Sequence, residues 1–176
     1  METNLRVLSL GAGVQSTTLA LMIAKGEVPM VDFAIFADTR GEPDYIYKHL
    51  KWLKDKVPFE IVVTSKGDLT DNCLRALSGE KKTADGLSLS GSAIPFYITK
   101  EDGKKGMGIR QCTVSYKIET IMKVVRKKLG YEKGRRVKKD VNVEMLLGIS
   151  QDEVYRVKKS RYHYVTHEYP LIDKKL

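Results

Sequence analysis

The stretch that most restricts what this chain can fold into is residues 5–25. There Leu5-Arg-Val-Leu-Ser-Leu10 runs into Gly11-Ala-Gly-Val-Gln-Ser16 and on into residues 17–25. The opening six residues are mostly Leu and Val and have the length of a buried strand. Two glycines in three positions allow a sharp turn, after which Thr17, Leu19, Ala20, Ile23 and Ala24 recur at helical spacing. A strand that feeds a helix through a tight glycine loop gathers unpaired backbone N–H groups at the positive end of the helix dipole. Such a place attracts anions, and glycine lets a phosphate approach the main chain closely. Residues 11–17 therefore read as a cradle for nucleotide phosphate.

The next stretch repeats the alternation. Residues 31–37 read as a buried strand that ends in Asp38-Thr-Arg-Gly41. A helix follows with Pro43 in its first turn and Ile46, Leu50, Leu53 and Val57 along one stripe, and residues 59–63 make a third strand. Strand–helix–strand–helix–strand over some sixty residues predicts parallel βαβ units. The expected fold is thus an α/β three-layer sandwich with a mainly parallel sheet, Rossmann-like in construction, and 176 residues fit a single domain spanning 1–176. Ligands of such sheets bind beyond the carboxyl ends of the strands, which is expected to bring Asp38 and Thr39 beside the glycine loop.

Further along, residues 68–77 read as a short helix with Leu69, Cys73, Leu74 and Leu77 on one side. Residues 78–105 lack periodicity and are rich in Gly, Ser, Lys and Thr; they are expected to form a flexible flap. Thr113 is the expected N-cap of a helix striped by Val114, Ile118, Ile121, Val125 and Leu129 and ended by Gly130. Residues 141–148 read as a strand, 154–160 as a short helix, and 162–172 as an aromatic extended segment.

Charge divides the chain unevenly. Residues 1–99 carry 11 basic and 12 acidic side chains, whereas 100–176 carry 20 and 10, which accounts for the net +9. A basic second half suits a polyanionic partner, either a nucleotide or nucleic acid along residues 117–139, or a solvated lysine-rich face. Two cysteines are too few for a disulfide framework, so a reducing cytoplasm is the expected setting; a Cys73–Cys112 bridge is the alternative. No run approaches the roughly 20 apolar residues of a membrane span, and the beginning lacks a signal-peptide pattern.

The loop itself supports two nucleotide readings. Gly11-x-Gly13-x-x-Ser16 after a strand, with Asp38 at the end of the next strand, fits a dinucleotide fingerprint whose third glycine is replaced by serine. It equally fits a pyrophosphate loop in which Ser16 and Thr17 open the helix. A Walker loop is excluded, because Gly-Lys-Ser/Thr does not occur. His163 and His167 with Cys112 lack a fourth ligand, so no metal site is expected. Glu153 is a candidate either for Mg²⁺ or for pairing with Arg156.

The order of elements resembles the PP-loop ATP pyrophosphatase superfamily, and within it the phosphoadenylyl-sulfate (PAPS) reductase branch, particularly its short phage-type members. Gly11-Ala-Gly13-Val-Gln-Ser16-Thr17 resembles the superfamily's Ser-Gly-Gly-x-Asp-Ser loop, with Gln15 at the place of the aspartate. Asp38-Thr39-Arg-Gly41 resembles the branch's Asp-Thr-Gly, and Arg110-Gln-Cys112-Thr-Val-Ser-Tyr-Lys117-Ile its Cys-x-x-x-Arg/Lys-Lys-Ile/Val. Gly148-Ile-Ser150-Gln-Asp-Glu153-Val-Tyr-Arg156 and Tyr169-Pro-Leu171 match its last two elements. Nothing matches the branch's Glu-Cys-Gly-x-His motif, so a domain truncated at its C-terminal end and lacking thiol-dependent sulfite release is expected.

The resemblance implies an adenine nucleotide α-hydrolase-like fold and a transferase acting at the α-phosphate or sulfate side of ATP or PAPS, with Mg²⁺. Ser9, Gly11, Gly13, Gln15, Ser16, Thr17, Asp38 and Thr39 would bind the nucleotide. Lys117, Arg156 and Cys112 would be catalytic, and Arg110, Lys158 and Arg161 would bind the substrate anion. A homodimer is among the expected assemblies. Two alternatives remain at this level: an NAD(P)-binding Rossmann oxidoreductase, and a non-enzymatic basic module that binds nucleic acid.

Overall fold

A computed structural model describes residues 5–83, 89, 94, 97–99, 102–107, 112–132 and 134–176. The chain divides into two compact units. One comprises Met1–Phe36, Pro43–Val63 and Lys123–Leu176; the other comprises Ala37–Glu42 and Thr64–Met122.

The first unit is built on a parallel sheet. Strands β1 (Leu5–Leu10), β2 (Phe33–Asp38) and β3 (Glu60–Ser65) alternate with helices α1 (Val14–Ala24) and α2 (Asp44–Lys54). Helix α3 (Leu69–Leu77) and a two-stranded antiparallel hairpin, β4 (Tyr97–Thr99) with β5 (Lys105–Met107), belong to the second unit. The chain returns through a π-helical stretch, Cys112–Ile118, which continues as α4 (Glu119–Lys128). Strands β6 (Val143–Leu147) and β7 (Val165–Glu168) and the short helix α5 (Pro170–Asp173) complete it. The five-stranded sheet has the order β3-β2-β1-β6-β7 and is parallel throughout, an α/β Rossmann-like arrangement as the alternation predicts. Leu8 of β1 stands opposite Ala34 on one side and Leu146 on the other.

Period-two alternation sends Leu8, Leu10, Ala34, Phe36 and Leu146 to one face. There they pack with Leu19, Ala20 and Ile23 of α1, Leu50 and Leu53 of α2 and Leu171 of α5. Phe33 lies on the other face, beneath the ammonium of Lys128 from α4 at 5.1 Å from the ring centre. Lys128 also pairs with Glu60 at 3.1 Å.

Several local boundaries differ from the sequence reading. Helix α1 begins at Val14, three residues before Thr17. Ala12 takes a left-handed conformation (φ 54°) and Gly13 an extended one (φ −87°, ψ 179°), so the turn is complete by residue 13. Pro43 caps α2 instead of entering it, with its carbonyl accepting from Ile46 N at 2.9 Å. Thr113 is no N-cap: it lies inside the π-helical stretch, whose wider turn sets Tyr116 inward and lets the Thr120 hydroxyl reach back to the Ser115 carbonyl at 3.4 Å. The helix expected at 154–160 is a 3-10 helix at Gln151–Arg156, and its successor runs extended. Of residues 162–172 only Val165–Glu168 is strand, since Pro170, lacking an N–H, opens α5 at its first position. The Cys73–Cys112 bridge is not formed: neither cysteine is in a disulfide, Cys73 being buried and Cys112 half-buried. Among the described residues, no helix is long and apolar enough to cross a membrane.

Candidate functional site

From β1 the chain builds β2 and β3 on one side and later returns to add β6 and β7 on the other. The strand order therefore reverses between β1 and β6. The crevice at such a reversal, outside the carboxyl ends of the strands, is where α/β sheets take ligands. Residues 11–13 leave β1 at this point, and Gly148 leaves β6.

The loop is braced from within. The Ser16 hydroxyl accepts from Gly11 N at 3.2 Å and donates to the Gly13 carbonyl at 3.3 Å, while Thr17 N closes the first helical turn onto the same carbonyl at 3.0 Å. Ser16 is buried, but Gly11 and Gly13 are exposed, and a side chain built at Gly13 would meet nothing within 4 Å. Helix geometry leaves the N–H groups of Val14, Gln15 and Ser16 without an intrahelical acceptor, and Gly13 has no side chain with which to cap them. A brace facing inward and exposed glycines facing outward leave a set of amide donors at a helix N-terminus. Such a set can bind a phosphate and can do little else chemically.

Two residues that support this loop were not assigned roles by sequence reasoning. A Cβ added at Gly148 would lie 2.7 Å from both Cα and N of Ser16 and 2.9 Å from the Gln15 carbonyl carbon, so the end of β6 rests directly on the first turn of α1. A glycine immediately after a buried strand was the available signal. His49 of α2 places Nε2 2.9 Å from the Thr17 hydroxyl and stacks on Trp52 with ring centres 5.3 Å apart. No spacing in the sequence pairs residues 17 and 49. Ser9 lies within β1, opposite Ile35 and Leu147, one strand position before the loop-facing end.

Within this unit, Arg156 is exposed and ion-paired to Glu153 at 2.6 Å. Lys158 and Arg161 are exposed. Among the described residues no group of three His, Cys, Asp or Glu side chains could hold a metal.

The second unit contains the other predicted positions. Asp38 accepts from Arg40 N at 2.7 Å, and its carbonyl accepts from the Ser65 hydroxyl at 2.7 Å. Thr39 is buried; its hydroxyl donates to Glu42 at 3.2 Å, and its carbonyl accepts from Leu69 N at 3.0 Å. Lys117 pairs with the same Glu42 oxygen at 3.5 Å. Thr39, Glu42 and Lys117 are thus brought together, with Cys112 at the start of the same π-helical stretch as Lys117. Arg110 lies outside the described residues, as does much of the expected 78–105 flap.

Beneath these groups lies a buried polar pair. Asn72 of α3 donates to the Tyr116 hydroxyl at 3.1 Å, and Lys66 places its ammonium 5.3 Å from the Tyr116 ring centre. Burial pushes the Tyr116 phenol above its ordinary value, with the Asn72 hydrogen bond opposing in part. The unfolded chain therefore ionises this tyrosine first, so the stability it confers is complete below the ordinary tyrosine range and declines as pH rises through it. Urea denaturation of wild type and Tyr116→Phe at pH ~9 and ~11 is expected to show wild type losing more stability across that interval than the variant.

A search against protein-family profiles, curated proteins and solved structures finds no match to this chain.

Proposed function

We propose that this chain is an adenine-nucleotide-binding enzyme of the PP-loop kind, similar to the PAPS reductase branch, acting at the α-phosphate or sulfate side of ATP or PAPS. The observation that carries this reading is the amide cradle of residues 11–16, open to solvent at the reversal of strand order and backed by Gly148. With ATP, the cradle holds the β- and γ-phosphates, an acceptor oxygen attacks the α-phosphorus, and the bond to the bridging oxygen breaks to release pyrophosphate. The main-chain donors neutralise charge that grows on the leaving group, and the fixed helix start supplies orientation. With PAPS, the same donors hold a phosphate.

Within the unit that carries the cradle, Arg156 is the cation proposed to meet the reacting anion. It is held by the Glu153 carboxylate, so the incoming anion has to displace that partner. Gln15 cannot stand in for a metal-binding aspartate, and the described residues offer no metal cluster, so Mg²⁺ would arrive on the phosphates.

Calorimetric titration with ATP·Mg²⁺, PAPS and NADPH, followed by a pyrophosphate-release assay with candidate acceptors, tests the proposal. Gly13→Asp places a carboxylate over the cradle where nothing else lies within 4 Å. It is expected to leave the melting temperature unchanged while weakening ATP or PAPS binding by about tenfold through like-charge repulsion. Binding of NADPH alone, or nucleotide affinity untouched by Gly13→Asp, overturns the reading.

A further inference from the structure

Two basic segments far apart in sequence meet beside β7. Residues 135–139 precede β6 and include Arg135, Arg136, Lys138 and Lys139, all exposed around a buried Val137. The loop is held from inside: the Arg126 guanidinium donates to the carbonyls of Glu132 and Arg135, and Lys138 N donates to the Tyr131 hydroxyl at 3.3 Å. His163, just before β7, donates from Nε2 to the Val137 carbonyl at 3.1 Å, which joins this loop to the segment 157–163. That segment carries Lys158, Lys159 and Arg161, also exposed. Its main chain is pinned at Lys158, whose N–H donates to the Tyr169 hydroxyl at 3.0 Å. The Lys158 carbonyl accepts from that hydroxyl and from His167 Nδ1, both at 2.8 Å. The backbone is thus tied down, and the cationic side chains are left to solvent.

Between this segment and β7 lies a cavity of about 380 Å³ walled by Val157, Tyr162, His163, Val165, His167 and Tyr169. Among the described residues, none of the seven cations has an acidic partner within ion-pair distance, and no acid lines the cavity. Cations that flank an aromatic recess are the features that bind an unpaired polynucleotide: the charges follow phosphates, and the rings take a base that is not stacked in a duplex. A bilayer surface offers the charge but nothing planar to enter the recess, and a duplex keeps its bases stacked.

We propose that single-stranded nucleic acid binds along β7, its phosphates on Lys158, Lys159, Arg161 and the 135–139 loop and one base in the Tyr162–Tyr169 recess. Of the 117–139 stripe expected from sequence, this surface keeps the 135–139 loop and joins it to 157–163; Lys117, Arg126 and Lys128 of that stripe are engaged by Glu42, backbone carbonyls and Glu60. It does not depend on the nucleotide reading above.

Fluorescence anisotropy of the full chain with a labelled oligouridylate of about 12 nucleotides tests it. Affinity is expected to fall steeply between ~50 and ~200 mM salt, and the double variant Lys158→Glu/Arg161→Glu to weaken binding by about tenfold or more with a shallower salt slope. Lys51→Glu/Lys54→Glu, on the exposed face of α2, makes the same change in net charge and is expected to alter affinity less than about twofold. Tyr162→Ala is expected to weaken the oligonucleotide but not inorganic polyphosphate of similar charge. Circular dichroism of each variant establishes that it is folded. Equal losses from the two double variants, polyphosphate or a duplex binding as tightly as the oligonucleotide, or binding to phosphatidylserine vesicles without binding to the oligonucleotide, would each overturn the proposal.

Discussion

Gly148→Ala is expected to disable the phosphate cradle by adding one methyl group. The new Cβ would meet Ser16 Cα and N at 2.7 Å and the Gln15 carbonyl carbon at 2.9 Å, so close that something must shift. The atoms in its way are main chain, so no side chain can rotate aside. Either β6 recedes or the first turn of α1 lifts from the sheet. Strain of this kind typically costs about 1–3 kcal/mol, seen as a fall in melting temperature of roughly 2–12 °C for a chain of this size. The effect on ligand is expected to be larger in proportion. Moving the first helical turn misaims the amides of Val14, Gln15 and Ser16, and losing two charge-assisted hydrogen bonds of ~1.5 kcal/mol each weakens ATP or PAPS binding by about 100-fold. Thermal denaturation and calorimetric titration of the same preparation measure both. A variant that melts like wild type and keeps its affinity would show that the two loops yield readily, and the crevice would lose its importance.

Leu8→Ala is expected to give the largest loss of stability of any substitution considered. Leu8 is fully buried in the central strand, bonded to β2 on one side and β6 on the other, with Leu19 and Ile23 of α1 in the same cluster. Three flanking elements fix its surroundings, so the space left by the missing isobutyl group cannot collapse. Substitutions of this type cost about 2–5 kcal/mol, the upper part of the range applying where relaxation is restricted. Urea denaturation monitored by circular dichroism is expected to show a lower midpoint with an unchanged slope. The folded fraction should still bind nucleotide, because β1 itself keeps its hydrogen bonds and the loop its Ser16 brace. Paired with Gly148→Ala, this separates damage to the core from damage to the cradle. A Leu8→Ala variant within 1 kcal/mol of wild type would mean that the cluster repacks, contrary to its enclosure between strands and helix.

The amino-acid sequence by itself determined what depends on neighbours along the chain. Alternating apolar runs and helical stripes specified a parallel α/β sheet, and the glycine loop after the first strand specified where amide donors would gather, because strand pairing and helix starts follow from local periodicity and backbone freedom. Boundaries slipped where a distant partner intervened. Tyr116 turns inward to meet Asn72, in a π-helical stretch where ordinary helical spacing had suggested an N-cap at Thr113.

Only the tertiary structure decided which residues share a place. Gly148 and Ser16 are 132 positions apart and in contact at van der Waals limits; Thr17 finds His49 on another helix; and Val137 finds His163, joining two basic segments that looked separate. The strand order β3-β2-β1-β6-β7 is the common cause. Placing β6 next to β1 sets the two loops against each other, and placing β7 next to β6 brings its leading turn to the basic loop. Strand order is chosen by the burial of whole faces over the entire chain, a global quantity that no local spacing records.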